Sequence, residues 1–257
     1  LSRPLGSAVF GHYGDKIGRK TTLVIALLTM GISTVCIGFL PSYASIGITA
    51  PLLLMLCRFG QGVGLGGEWG GAVLLAIENA PPNKRAWYGM FPQLGAPIGL
   101  LLSGGTFLIL TDTMTSEAFL DYGWRIPFIA SSLLVVVGFY IRLKITETPA
   151  FENAKKEKEE VNIPFFTLLK FYKNQLIFGT FAAITTFLVF YLMTVFTLSW
   201  ATSDLGYSKR DFLLMQLFSV LFFAIFIPVS ALIADRIGRR KMLIYATVAI
   251  AIFGFAF

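Results

Sequence analysis

A short charged stretch, Gly11-His12-Tyr13-Gly14-Asp15-Lys16-Ile17-Gly18-Arg19-Lys20, sits between two long apolar runs and returns as Ala231-Leu232-Ile233-Ala234-Asp235-Arg236-Ile237-Gly238-Arg239-Arg240. Asp15 and Asp235 are 220 positions apart. Each copy follows one membrane-length segment and precedes another, so the chain carries one architectural unit twice. A soluble fold cannot absorb this pattern. Hydrophobic residues make up 56% of the chain and charged ones 14%, with a mean hydropathy of +0.74, whereas a soluble domain is typically about 25% charged. The pattern describes an internally duplicated membrane protein.

A helix needs about 20 apolar residues to cross the hydrocarbon core. The runs predict the end of one membrane helix over 1–10, full spans over 21–40, 51–77, 88–110, 125–145, 176–200 and 212–234, and a shortened one over 242–257. The chain opens without Met inside one apolar run and stops inside another, so it reads as the middle of a longer protein, a fragment. Lys16, Arg19 and Lys20, then Lys84 and Arg85, then the lysines of 144–173, then Arg236, Arg239, Arg240 and Lys241 fall on alternate loops. The loops between them, 41–50, 111–123 and 201–211, contribute only Lys209 and Arg210. The positive-inside rule makes the basic side cytoplasmic, in a cell inner or plasma membrane. Two bundles follow, 1–145 and 175–257, joined by a cytoplasmic linker over 146–174 whose mixed charges suit a solvated helix or a plain tether.

Several function classes drop out. The formal charge of +7 is spread over short loops rather than along one face, which argues against nucleic acid. Cys36 and Cys57 fall inside apolar spans as small hydrophobes. His12 is the single histidine, with no second His or Cys beside it to build a metal site. No Gly-x-x-x-x-Gly-Lys-Ser/Thr loop occurs, and no nucleophile stands beside a base, so neither ATP use nor an enzyme is indicated, and no cofactor is implied.

Gly-x-x-x-Asp-Lys-x-Gly-Arg-Lys after a membrane helix resembles the signature loop between helices two and three of the major facilitator superfamily, and the second copy resembles the loop between helices eight and nine. The chain is most similar, within it, to the metabolite:proton symporter family, whose members carry shikimate, 2-oxoglutarate, citrate, and proline or betaine. The residues that carry the resemblance are Arg3-Pro4-Leu5-Gly6, the stretch from Arg58-Phe59-Gly60-Gln61 to Gly66-Gly67-Glu68, Gln93-Leu94-Gly95-Ala96-Pro97, Gly123-Trp124-Arg125-Ile126-Pro127-Phe128 and Glu147-Thr148-Pro149-Ala150-Phe151. Ala231 departs from the pattern where the first copy has Gly11. The resemblance implies an all-α membrane fold of two pseudo-symmetric bundles, here helices two to nine of twelve; the sequence leaves the oligomeric state open, with a monomer the expectation. It also implies transport of a small metabolite with H+.

An ionisable group inside a membrane is a functional candidate by default, and the span 51–77 holds two. At 100° per residue Arg58, Gln61 and Glu68 share one arc, expected to face an aqueous cavity, while Gly60, Gly64, Gly67 and Gly71 form a stripe for a neighbouring helix. A buried ion-pair network is the alternative reading of the same charges. By resemblance, Arg58 takes part in proton coupling or substrate binding. Arg3 and Glu68 lie at similar depth in their spans, which suggests an ion pair that opens when Glu68 takes up a proton.

At the cytoplasmic rim Asp15, Arg19, Glu78 and Glu147, with Gly11, make a candidate latch, repeated in part as Asp235, Gly238 and Arg239, with Gly14 and Gly18 letting the chain bend. By resemblance this loop steadies the state open to the outside. Pro92 and Pro97, with Gly95, Gly99 and Ser103, point to a helix that bends and slides, and Gln93 can reach substrate or a neighbouring helix. Tyr191 is the candidate cavity residue of span 176–200, and Trp200 suits the interfacial belt. Together these predict proton-coupled symport of a small polar or carboxylate-bearing metabolite by alternating access. An antiporter or uniporter of the same fold, or a non-transporting membrane sensor, is the alternative.

Overall fold

The computed structural model describes residues 2–144 and 169–254. Its helices follow the apolar runs and overrun their charged ends: α1 Ser2–Ile17, α2 Arg19–Gly38, α3 Thr49–Glu78, α4 Arg85–Thr113, α5 Arg125–Lys144, α6 Lys173–Ser203, α7 Lys209–Ile237 and α8 Arg239–Gly254. By length and composition α2, α4, α5, α6 and α7 are able to cross a membrane. α1 and α8 are the partial spans expected at the two ends, and only α3 departs from an expected full span, for a plain reason. α1 and α8 have 16 residues each, and α3, at 30 residues, carries Arg58, Glu68 and a run of glycines.

The charged stretches are not loops. Helix continues through His12 and Gly14, and one residue breaks it, Gly18 at φ 104, ψ 149; in the second copy Gly238 at φ 93, ψ 142 does the same. Side chains are excluded from that backbone region, so one glycine suffices to reverse the chain. Thr22 secures the first break by donating its hydroxyl to the Gly18 carbonyl at 2.7 Å. Gly14, expected in a turn, is helical and buried beside Thr22.

α3 is the axis of the first half because its glycines admit two neighbours at once. Gly60, Gly64 and Gly71 lie against Ser33, Met30 and Leu23 of α2, whereas Gly62 and Gly66 lie against Ser2 and Arg3 of α1. The expected single stripe is thus divided, and Gly67 belongs to the α1 side, against Phe10. α2 in turn packs on α5 through Gly31 against Val135 and Gly38 against Ile129. Both ends of that pair are tied: Lys20 Nζ donates to the Leu143 carbonyl at 2.8 Å, and Arg125 Nη2 to the Leu40 carbonyl at 3.1 Å.

The halves meet along α4 and α7, where Gly104 receives Leu217. Gly95 and Gly99, expected to be sliding surface, face open space instead, because the seam runs along another side of α4. Pro97 is buried inside that helix. α6 has a wide turn over Leu192–Phe196, where the i to i+4 ladder is interrupted, and Gln216 of α7 donates its amide to the Thr194 carbonyl at 2.7 Å.

Candidate functional site

The site is built on α3. Arg58 Nη1 donates to Gln61 Oε1 at 3.2 Å, Gln61 Nε2 donates to Thr34 Oγ1 of α2 at 2.7 Å, and the Thr34 hydroxyl donates to the Met30 carbonyl at 2.8 Å. This relay fixes the amide of Gln61, oxygen toward the cation. Arg58 itself is exposed and has no other polar partner among the described residues, so most of its donor fork is open to a planar anion. Trp69 lies about 20° from Arg58 around the helix, and its ring meets Phe187 of α6 at 6.2 Å. The Arg58 face of α3 is therefore turned toward the second half.

Glu68 is turned away from that face. Its Oε1 is held by Arg142 of α5, with the two side chains 20% and 15% exposed, and its Oε2 is buried with no partner. This corrects the Arg3–Glu68 pairing read from depth: Arg3 is exposed, and its backbone rests on Gly66, on the opposite flank of α3. Depth matched the two residues, but the glycines that seat α1 separate them around the helix. Arg142 escaped the sequence reading because a base at the end of a span looks like an interfacial anchor.

At the end of the bundle that carries Gly18 and Gly238, Arg19 Nη2 holds Glu78 Oε1 at 2.7 Å, both side chains about one-fifth exposed. The second copy makes a different contact. Asp235 accepts the Ala86 N–H on Oδ1 and the Trp87 N–H on Oδ2, each at 2.9 Å. A carboxylate from the second half thus closes the first turn of α4 in the first half, where the helix dipole and the open N–H groups favour an anion. A cavity of about 360 Å³ beside it is lined by Asn83, Lys84, Trp87, Leu232, Asp235 and Arg236.

The remaining sequence candidates stay apart. Gln93 is half-buried in the first turns of α4 and makes no side-chain hydrogen bond among the described residues. Tyr191, 44% exposed, packs edge-on against Phe190 where the wide turn of α6 begins. Gly11 faces open space, and Arg239 is exposed at the start of α8. Glu147 and the side chain of Asp15 lie outside the described residues.

The model of the Major Facilitator Superfamily matches residues 4–257. The chain belongs to the Major Facilitator Superfamily. Among curated members it is 53% identical over its whole length to the inner membrane metabolite transport protein YhjE of Escherichia coli K12, covering 60% of that protein. It is 38% identical to the shikimate transporter of the same organism, with 100% of this chain and 59% of that protein covered. The E. coli K12 proline/betaine transporter is 34% identical, with 97% and 52% covered. The chain therefore spans little more than half the length of these relatives, all of them transport proteins rather than enzymes. Among solved structures of the superfamily, the partially occluded inward-open xylose transporter XylE from E. coli superposes with a TM-score of 0.67 at 17% identity, covering 93% of this chain and 59% of that one. At such identity the likeness concerns the fold, and it is the superfamily fold that the resemblance of the signature loops implied.

Proposed function

We propose that this chain is the core of a secondary active transporter, a proton-coupled symporter of a small polar or carboxylate-bearing metabolite that works by alternating access across the cell's inner or plasma membrane. The observation that carries the reading is Arg58. A charge within a membrane helix costs at least about 2.5 kcal/mol, and Arg58 has one polar partner, Gln61, with its face turned to the second half. A guanidinium in a low-dielectric cavity favours a carboxylate, which its remaining donors can grip in two places. The relatives named for shikimate and for proline or betaine transport support a cargo of this size.

Glu68 suits the proton. Its Oε2 is buried without a partner while Oε1 holds Arg142, so a proton has a place to sit, and its arrival would weaken the ion pair and loosen α3 from α5. The positive-inside rule puts the Arg19–Glu78 pair and the Asp235 cap on the cytoplasmic face. There they act as the latch that closes that side, and they yield as the halves rock.

The test is external pH in a weakly buffered suspension of cells expressing the full-length protein, with organic acids, betaines and amino acids added singly. Alkalinisation with one compound, abolished by Arg58→Ala while the protein stays in the membrane, is the expected result. Uptake and proton movement both surviving Arg58→Ala would remove Arg58 from the site. Saturable uptake without a pH change would assign uniport or another coupling ion.

A further inference from the structure

Thr34 stands on α2, outside the helix that carries Arg58, yet the hydrogen bonds of Arg58 lead to it through Gln61. We propose that Thr34 is a positioning residue for cargo recognition: it ends a one-way hydrogen-bond chain on the backbone of α2, holds the Gln61 amide oxygen against Arg58, and so aims the guanidinium without neutralising it. The proposal rests on the reading of Arg58 given under the proposed function and adds a residue that does not touch the cargo.

The direction of the chain follows from the hydroxyl. A threonine hydroxyl has a single proton to give, and Thr34 gives it to the Met30 carbonyl one turn back, at 2.8 Å. Toward α3 it therefore offers lone pairs only. The Gln61 amide must turn its NH2 to Thr34, at 2.7 Å, and its oxygen to Arg58, at 3.2 Å. With the amide reversed, N–H would face N–H at Arg58 and oxygen would face oxygen at Thr34. Every donor thus points away from the cation, an order in which each bond polarises the next.

Among the hydroxyls of α2 this use is selective. Thr22, Thr29, Ser33 and Thr34 each donate to the carbonyl one turn back, and of these four Thr34 alone also accepts from another helix among the described residues. Its reach depends on the glycines that flank Gln61. A Cβ on Gly60 would run into the Ser33 hydroxyl, and one on Gly64 would stand 2.7 Å from the Met30 nitrogen. The backbones approach closely at the level where the amide crosses from α3 to α2.

Neutrality of the holder is the second half of the argument. A carboxylate in place of Gln61 would grip the guanidinium fork and cancel the charge that an anionic cargo needs. The amide takes one donor and leaves the rest of the fork with its full charge. A long side chain already held in place also loses less rotamer freedom when an anion arrives, which is preorganisation.

The experiment uses the full-length protein in membranes and phenylglyoxal, a dicarbonyl that modifies guanidinium groups. Modification of Arg58 and of Arg3, the exposed arginine on α1, is followed by peptide mass spectrometry while organic acids, betaines and amino acids are added singly. In the parent protein one of these compounds should protect Arg58 and leave Arg3 unchanged. Thr34→Val, which keeps the shape and removes the acceptor, should raise the half-protecting concentration about five- to tenfold, and Thr34→Ser should bring it back to within about twofold. Thr34→Ala, made beside them, reads the loss of the acceptor apart from any misfit of the second methyl. Gln61→Glu should abolish protection. A merely structural Thr34 would change the unfolding midpoint and leave the half-protecting concentration where it was. Equal concentrations in the parent, Thr34→Val and Thr34→Ala, or protection that survives Gln61→Glu, overturn the proposal and leave Arg58 at the site. If no compound protects Arg58 in the parent, the carboxylate reading of Arg58 falls and takes the proposal with it.

Discussion

Glu68 binds Arg142 through one carboxylate oxygen and keeps the other buried and unpartnered, which makes α3 and α5 dependent on each other's charge. Removing one member strands the other. Arg142→Ala should cost about 2–3 kcal/mol, less than a fully buried pair because a fifth of the Glu68 side chain meets solvent. Glu68→Leu with Arg142→Met, which removes both charges and keeps their bulk, should recover most of the loss. Thermal unfolding in detergent compares them; equal losses in the single and double variants would show that the pair is not the source.

Close helix contact makes a second prediction. A Cβ on Gly64 would stand 2.7 Å from the Ala26 carbonyl and the Met30 nitrogen, backbone atoms that cannot swing aside, whereas one on Gly70 meets nothing within 4 Å. Gly64→Ala should separate α3 from α2 and lower the unfolding midpoint by several degrees, at a cost of about 1–3 kcal/mol. Gly70→Ala should be neutral or slightly stabilising, since alanine is the better helix former. Membrane yield and unfolding midpoint of the two variants, made side by side, decide the point.

Asp235 should be graded in its effect. Asn in its place keeps one acceptor for the N–H groups of Ala86 and Trp87 and loses the charge, and Ala keeps neither. The expected costs are about 1 and 2 kcal/mol. A cysteine at Leu232, which lines the adjoining cavity, should label from the Gly18 side fastest in Asp235→Ala, then Asp235→Asn, then the parent. Any other order would mean that Asp235 does not hold the seam shut.

The one-residue break offers a fourth test. Gly238 has φ 93 and ψ 142, a conformation essentially closed to side chains, and Gly238→Ala should lose about 1–3 kcal/mol. Gly179, exposed and helical in α6 with open space around it, is the control expected to tolerate the same change. Similar stabilities for the two variants would refute the strain.

The helices were legible because an apolar run of membrane length leaves few alternatives in lipid, and the duplicated charged stretch announced the two halves. Their ends were less so. A hydropathy window cannot see that Gly18 alone, rather than ten residues, turns the chain. Depth along a helix was readable for Arg3 and Glu68, but which neighbour stands on which side of α3 depends on how Gly62 and Gly66 divide from Gly60 and Gly64, and composition does not distinguish the two sets. Asp235 stood out as a latch candidate, yet its partners are backbone N–H groups, which leave no mark in a pattern of side chains. Arg19 and Glu78 were expected at the same rim, and there the side chains alone were enough to suggest the contact.

Lys20 reaches from α2 to the end of α5, and Arg125 reaches from α5 to the end of α2. These reciprocal ties lie on the helix pair away from the seam, where they act as a frame. A frame braced at both corners resists shear between α2 and α5, so torque applied at the α4–α7 contact is not dissipated as slippage within the five helices of the first half. On the alternating-access proposal, the first half would then turn as one stiff body and carry a displacement at one membrane face through to the other.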